Sequence, residues 1–516
     1  MGRQKRKMKS DPGTPAENAI HARAIRHTTS CPGMNIVEPI LFQARYQPGA
    51  PALCVLGRQV VSYAVLRVQM NNVARRATAC GLKRGSIVAL ATDDPLLEAA
   101  LILGLTQAGI ATMSVGMVPP VGLRIDAVIS ATKPSFAPAA QHLVLDESWI
   151  SGDGAPIERA PVFPPEHDEV CRIVLTSGTT GGPKAVALTH RQVMARNARF
   201  EYLFGSRLPT LSRIYMGLSL ASSLGYYFLP YVLGRGGTIF FRGASIENAL
   251  RMFEVFRIEA MLASPSALAQ LLAVCDQNPS SEVHFDTVLS SGGLLPRSLV
   301  ERIRPRLCSH LITAYGATET TISATAPAHR IAHIEGAAGF VTPGARIEIV
   351  DKADRPVPAG TEGIVRIASE FAVDRYIDDP AESAQVFRDG WFYPGDLGSL
   401  TPDQLLIISG RQHNILNMGG EKIAAEKVEA VLASYNGVRQ AAVFVATSTA
   451  GVQEVWAAVV CPETFDAEKL REHCRAALPR HFVPAHIVSL DVLPVSAMGK
   501  VILPRLREMI TPRKKA

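Results

Sequence analysis

The stretch Arg172-Ile173-Val174-Leu175-Thr176-Ser177-Gly178-Thr179-Thr180-Gly181-Gly182-Pro183-Lys184 decides how the rest of this 516-residue chain is read. Its first four residues form a short, largely apolar run that reads as a buried strand, and a glycine-rich turn follows directly. Three glycines permit tight curvature, so successive backbone N–H groups can converge on an anion; four hydroxyls add donors and Lys184 adds a positive charge. That set of groups cradles phosphate. It is not a Walker A loop, because Gly-Pro-Lys-Ala stands where Gly-Lys-Ser/Thr would be needed. Downstream, Thr189 is placed to cap a helix through Phe204. Strand, phosphate turn and helix in this order belong to α/β sheets that bind ligands at the carboxyl ends of their strands.

Neighbouring segments alternate in the same way. Ser62 precedes Tyr63, Leu66, Met70, Val73 and Ala77 at helical spacing, Gly81 stops that helix, and Ser86 to Leu90 is strand-like. Val288-Leu289-Ser290 ends in Gly292-Gly293. The uncharged stretch from Ala99 to Leu123 is long enough to cross a bilayer, but Gln107, its glycines and Pro119-Pro120 make it a buried helix, a turn and a buried strand. The same reading covers Ile214 to Gly234. After Gly410-Arg411 the texture changes: Val428, Val431, Leu432 and Tyr435 mark one amphipathic helix, and Leu470, Cys474, Ala477 and Leu478 a second. Ala441–Ala446, Val455–Cys461 and His486–Leu490 read as strands. The expected class is therefore α/β, with a large N-terminal α/β domain (residues 36–409) and a small C-terminal α+β domain (410–516) behind a disordered extension (1–35).

Charge excludes less than it first suggests. The chain holds 53 Lys and Arg against 46 Asp and Glu, net +7. Arg3, Lys5, Arg6, Lys7, Lys9, Arg513, Lys514 and Lys515 lie in the two termini; without those eight, 45 cations face 46 anions. A nucleic-acid partner is not expected from so neutral a body. Eight scattered cysteines form no C-x-x-C pair, which favours free thiols in a cytoplasmic protein over disulfides or zinc. No transmembrane segment is expected. Nothing in the sequence sets the oligomeric state.

The decapeptide from Leu175 to Lys184 resembles the signature loop of the adenylate-forming superfamily, which includes acyl- and aryl-CoA ligases, luciferases and peptide-synthetase adenylation domains. Further segments occur in the order that family requires: Tyr315-Gly316-Ala317-Thr318-Glu319, Trp391-Phe392-Tyr393-Pro394-Gly395-Asp396-Leu397, Gly410-Arg411 continuing through Gly419-Gly420-Glu421-Lys422-Ile423, and Pro494-Val495-Ser496-Ala497-Met498-Gly499-Lys500-Val501. With Ser62-Tyr63 to Gly85, the resemblance covers roughly residues 40 to 508.

What the resemblance implies can be set out residue by residue. Thr176, Ser177, Gly178, Thr179, Thr180, Gly181 and Lys184 hold the β- and γ-phosphates of ATP. Tyr315 packs on adenine, Thr318 meets phosphate oxygens and Glu319 helps hold Mg²⁺. Asp396 accepts both ribose hydroxyls with Arg411 nearby, and Lys500 touches the substrate carboxylate and the α-phosphate. Gly419 and Gly420 let backbone approach a pantetheine arm. The chemistry asks for these groups, because a carboxylate attacking the α-phosphorus is a weak anionic nucleophile whose charge must be screened while pyrophosphate leaves in line.

Three positions depart from the family pattern. His413 stands where the hinge is usually acidic, Pro394 where many members carry Thr, and Ser222 where many ligases carry His, with Gly225 aligned after it. Ser222 and Gly225 are candidates for the acid or CoA site; Tyr226, Tyr227 and Phe228 would suit an apolar tail or simply fill the core. No aspartate lies between Ile214 and Gly243 to pair with an ammonium, which favours a fatty or aryl acid over an α-amino acid. The expected function is an ATP-dependent carboxylic acid–CoA ligase working through an acyl-adenylate. A stand-alone adenylation enzyme loading the phosphopantetheine of a separate carrier protein is the first alternative, and a catalytically silent adenylate-binding protein the second.

Overall fold

Strand and helix alternate where the sequence does, and the described residues of the two apolar stretches lie mostly in buried elements. The computed structural model describes residues 34–115, 122–134, 136, 140–151, 161–165, 168–177, 183–205, 212–243, 246–377, 379–412, 415–418, 421–447, 453–461, 465–495 and 501–510. Asn35, at the end of the stretch read as an extension, is fully buried, and its amide donates to the carbonyls of Thr106 and Phe163 (3.0 and 3.2 Å).

The large N-terminal part carries two sheets. Its first strands are β1 (Pro51–Val55), β2 (Gln59–Ser62), β3 (Ile87–Ala91), β4 (Ala111–Ser114), β5 (Ala127–Ser130), β6 (Gln141–Val144), β7 (Val170–Ser177) and β8 (Pro183–Thr189). They continue with β9 (Arg213–Met216), β10 (Thr238–Phe241), β11 (Ala260–Ala263), β12 (Phe285–Ser291), β13 (Cys308–Ala317) and β14 (Thr321–Pro327). One sheet has the order β6-β5-β3-β4-β7-β8, parallel except for the final β7–β8 pair. The second runs β14-β13-β12-β11-β9-β10-β1-β2, parallel from β13 to β1. Beyond β14 it continues through antiparallel strands that include Asp396–Leu400 and Leu405–Arg411.

Each parallel array reverses its strand order once. After β3 the chain builds β4 on one side and β5 on the other; after β9 it builds β10 on one side and β11 on the other. Crevices open outside the carboxyl ends of strands at such reversals, and ligands bind there.

The helix Pro95–Gln107 shows why its sequence is apolar on every face. Asp94 caps it, accepting from the N–H groups of Leu96 and Leu97 (2.9 and 3.3 Å), and it is buried almost throughout. At Gly104 an added Cβ would lie 2.6 Å from Val73 Cβ, so the absent side chain lets this helix press against Tyr63–Ala79. No helix among the described residues is long and apolar enough to cross a membrane.

The smaller C-terminal part is α+β as expected. Gln440–Thr447 and Gln453–Val460 pair antiparallel, and His486–Ser489 adds in parallel. Alternation along these strands buries both faces: Val443 and Val455 pack with Val428, Leu432, Leu470 and Cys474, while Phe444 and Trp456 pack with Leu506. The helices Ala425–Ser434 and Ala467–Ala477 cover the first face.

Candidate active site

The two strands that flank the glycine-rich segment pair with each other. β7 pairs antiparallel with β8 in a register that sets Thr176 opposite Lys184 and Ser177 opposite Pro183. Gly178, Thr179, Thr180 and Gly181 lie outside the described residues. The helix His190–Phe204 begins after the second strand through a capping box, Thr189 accepting from the Gln192 N–H and Gln192 accepting from the Thr189 N–H. The Lys184 ammonium lies 2.7 Å from Asp379 Oδ2 and 3.7 Å from Glu382 Oε2. Asp379 also caps the helix Pro380–Val386, and hydrogen bonding to Lys184 holds its carboxyl below the usual carboxylate range.

A second hairpin, β13–β14, carries Tyr315 to Glu319. A bulge between Tyr315 and Gly316 tightens it, and a Cβ on Gly316 would sit 2.0 Å from the Thr321 carbonyl, so only glycine fits there. The Glu319 carboxylate is buried and accepts the Tyr376 hydroxyl at 2.7 Å. Beneath the turn lies Arg196, completely buried. It donates to the carbonyls of Thr318 (3.0 Å), Glu319 (3.2 Å) and Phe371 (2.7 and 3.1 Å), bonds the Tyr227 hydroxyl, and lies over the Tyr227 ring. Burial lowers its pKa to about 9, which still leaves it charged at neutral pH. No group of three or more His, Cys, Asp or Glu side chains able to hold a metal occurs among the described residues. A cation beside Glu319 would therefore need oxygens from phosphate and water, a mixture that Mg²⁺ accepts.

Asp396 stands at the meeting point of three elements. Its Oδ2 accepts the Tyr315 hydroxyl at 2.6 Å, and its Oδ1 lies 3.1 Å from Arg411 Nε, its cross-strand neighbour. Burial, reinforced by the Asp396 charge, pushes the Tyr315 phenol far above its usual pKa, so it remains a donor. Each carboxylate oxygen keeps a second acceptor direction. The β13–β14 hairpin thus carries Tyr315, which bonds the Asp396 acceptor, on its first strand and, four residues on in its turn, a buried carboxylate at Glu319.

The segment expected to face the acid is more heavily used by the fold. Ser222 caps the helix Ser223–Gly234, accepting from the Gly225 N–H (3.1 Å) and donating to the Ser219 carbonyl (2.7 Å). A Cβ on Gly225 would lie 2.2 Å from that same carbonyl. Tyr226, Tyr227 and Phe228 are buried side chains of the main core. Arg172, inside β7, reaches the same segment: it donates to the Leu220 carbonyl (2.8 Å), to Thr112 Oγ1 (3.1 Å) and to Ser114, whose hydroxyl bonds Glu98. A cavity of about 420 Å³ lies alongside, lined among others by Asp93, Glu98, Tyr215, Phe241, Arg242 and Gln270. It brings the two strand-order reversals face to face, since Thr92 and Asp93 follow β3 while Gly217 follows β9. None of Tyr315, Glu319 or Asp396 lines it.

Of the remaining sequence candidates, His413, Gly419, Gly420 and Lys500 lie outside the described residues. On either side of residues 496–500, Val495 bridges Val501 and the Ile502 N–H donates to the Pro494 carbonyl (2.8 Å). Sequence reasoning passed over Arg196, Arg172, Tyr376 and Asp379. A signal existed for two of them. Arg196 falls on the Val193, Phe200, Phe204 face of its helix, and Arg172 interrupts an apolar strand; a charge on a buried stripe needs partners.

A model of the AMP-binding enzyme family matches residues 42–377, and one of the AMP-binding enzyme C-terminal domain matches residues 427–500. The chain is 26% identical over 506 residues to 4-chlorobenzoate–CoA ligase of an Arthrobacter species, covering 92% of this chain and 95% of that one. It is 28% identical over 464 residues to a "probable non-canonical nonribosomal peptide synthetase", CymA, of Salinispora arenicola. That match takes in 86% of this chain but only 6% of the synthetase. In fold it is similar to O-succinylbenzoate coenzyme A synthetase of Bacillus subtilis solved with AMP, at a TM-score of 0.75 and 22% identity over 93% of this chain and 98% of that one. A phosphate-type hairpin, a Tyr315–Asp396–Arg411 junction and a family match across most of the large N-terminal part agree: the chain belongs to the AMP-binding enzyme family.

Proposed function

We propose that this protein is an ATP-dependent carboxylic acid–CoA ligase whose substrate is a fatty or aryl acid. The observation that carries the reading is the layout of the β13–β14 hairpin: Tyr315 hydrogen-bonded to Asp396 on its first strand, and the buried Glu319 four residues away in its turn. That spacing suits a nucleoside at one end and phosphates at the other. Thr176, Ser177, Gly178, Thr179, Thr180, Gly181 and Lys184 hold the β- and γ-phosphates. Tyr315 packs on adenine, and Asp396 with Arg411 receives the ribose hydroxyls. Thr318 meets phosphate oxygens. Glu319 holds Mg²⁺, which when bound neutralises phosphate charge. Lys500 approaches from the C-terminal domain (410–516), which turns against the N-terminal domain (36–409) near Arg411.

Two steps follow. A carboxylate oxygen of the acid attacks the α-phosphorus, the bond from that phosphorus to the β-phosphate oxygen breaks, and pyrophosphate leaves. A thiol then loses its proton and attacks the acyl carbon, forming the thioester and releasing AMP. Gly419 and Gly420 leave room for the pantetheine arm, and Ser222 and Gly225 shape the wall on the acid side. The seven described cysteines are free thiols, which supports a reducing, cytoplasmic setting. Similarity to an aryl-CoA ligase over almost its whole length supports CoA as acceptor. Similarity to a peptide synthetase favours a second reading, in which a carrier-protein phosphopantetheine takes the acyl group.

An ATP–pyrophosphate exchange screen over fatty, aryl and dicarboxylic acids tests the first step, and thioester formation with CoA against holo-carrier separates the two acceptors. Lys500→Ala should slow adenylation by about 10²–10³-fold, the effect of losing one preorganised transition-state donor, while supplied acyl-AMP still reacts with thiol. Full acid-dependent pyrophosphate release by that variant would defeat the assignment of Lys500. No release with any acid would leave an adenylate-binding protein without catalysis.

A further inference from the structure

Lys184 stands on β8 of one sheet and Glu319 in the β13–β14 turn of the other, yet one short piece of chain touches both. It comprises residues 371–377 and 379–383. At its start the Phe371 carbonyl accepts from Arg196, and the Val373 N–H donates to the Glu319 carbonyl (2.9 Å). Next, the Tyr376 hydroxyl donates to Glu319 Oε1 (2.7 Å), and the Ile377 N–H donates to the Ala185 carbonyl (2.9 Å), stitching the piece to β8 beside Lys184. At its end Asp379 pairs with Lys184. Ser383 braces the interior: its hydroxyl accepts the Tyr376 N–H (2.9 Å) and donates to the Asp379 carbonyl (2.6 Å).

We propose that this piece is a positioning strap that holds the phosphate hairpin and the Glu319 turn in one register, with Tyr376 the positioning residue that orients the Glu319 carboxylate toward a phosphate-bound divalent cation. The inference rests on the adenylation reading given above. Its physical basis is that a carboxylate offered to a metal needs its rotamer set beforehand, and a hydrogen bond to one oxygen sets it. A tyrosine hydroxyl carries its proton at neutral pH, so toward a carboxylate it donates. The Tyr376 ring also packs edge-on against Phe387, which Phe at 376 would preserve. Removing the hydroxyl alone therefore separates orientation from packing.

The test is calorimetric binding of ATP to the full chain, without any acid, in saturating Mg²⁺ and again in chelator. Tyr376→Phe should reduce the metal-dependent gain in ATP affinity about 10–100-fold, the range for residues that orient metal ligands. Its affinity for metal-free ATP and for AMP should stay within about twofold, and in a Glu319→Gln background the same change should have no further effect. Equal metal dependence in wild type and Tyr376→Phe would overturn the role of Tyr376. So would a loss of ATP affinity that is the same with and without Mg²⁺, which would mean packing alone. A wild-type chain that binds no adenine nucleotide under either condition would instead overturn the adenylation reading, and this inference with it.

Discussion

Replacing Arg196 by Met tests whether a buried guanidinium builds the turn at Thr318 and Glu319. Methionine approximates the length of the side chain while removing its charge and its fork of donors. Two carbonyls, those of Thr318 and Phe371, lose the donors they now have at 3.0 Å and at 2.7 and 3.1 Å, whereas the Glu319 carbonyl keeps the Val373 N–H. A buried carbonyl stripped of its donor costs about 1–3 kcal/mol, so the pair accounts for about 2–6 kcal/mol. Against this stands relief from holding a charge away from water, the same penalty that lowers the arginine pKa. The net expectation is a loss of about 3 kcal/mol. Urea unfolding would read it, and ATP titration in Mg²⁺ should show affinity about tenfold weaker because the Glu319 turn is no longer anchored. Arg196→Lys should fall between, since an ammonium keeps the charge but cannot serve both carbonyls in one plane. An Arg196→Met protein that loses under about 1 kcal/mol and binds ATP like wild type would refute the reasoning.

Two further outcomes follow from single positions. Gly225→Ala should destabilise by about 2 kcal/mol, because its Cβ would lie 2.2 Å from the Ser219 carbonyl and the Ser219–Ser222 turn must shift; an unchanged denaturant midpoint would show that the turn yields freely. His190 is buried with Nδ1 accepting the Ile36 N–H (3.2 Å), and burial lowers its pKa from 6.5 to about 4. The unfolded chain then binds more protons between those values, so stability should fall as pH drops from 6.5 toward 4, by up to about 3 kcal/mol. His190→Gln should flatten that part of the curve, and an equally steep profile in the variant would assign the slope to other groups.

Local spacing carried much of this protein. Ser62 and Thr189 begin helices because a side-chain oxygen can satisfy an N–H group three residues on, and that geometry lies within one turn of chain. Gly316 has an equally local cause in its hairpin. The buried uncharged stretches were legible as well, since a helix covered on all sides needs no polar face. The segment expected to face the acid was harder to read: in space the Ser222 hydroxyl closes a helix end, a use that its place in the sequence did not show. Arg196 and Arg172 looked like ordinary cations until their carbonyl partners, 122 and 48 residues away, came into view.

By itself the sequence determined the fold class, the family and the order of the candidate phosphate, ribose and metal groups, because each is encoded in short ordered segments. Only the tertiary structure decided how those groups are held. Tyr315 meets Asp396 across 81 residues, Tyr376 meets Glu319 across 57, and Lys184 meets Asp379 across 195. Such contacts depend on sheet order and strand register, which arise from packing the whole chain and leave no periodic trace in any window of it.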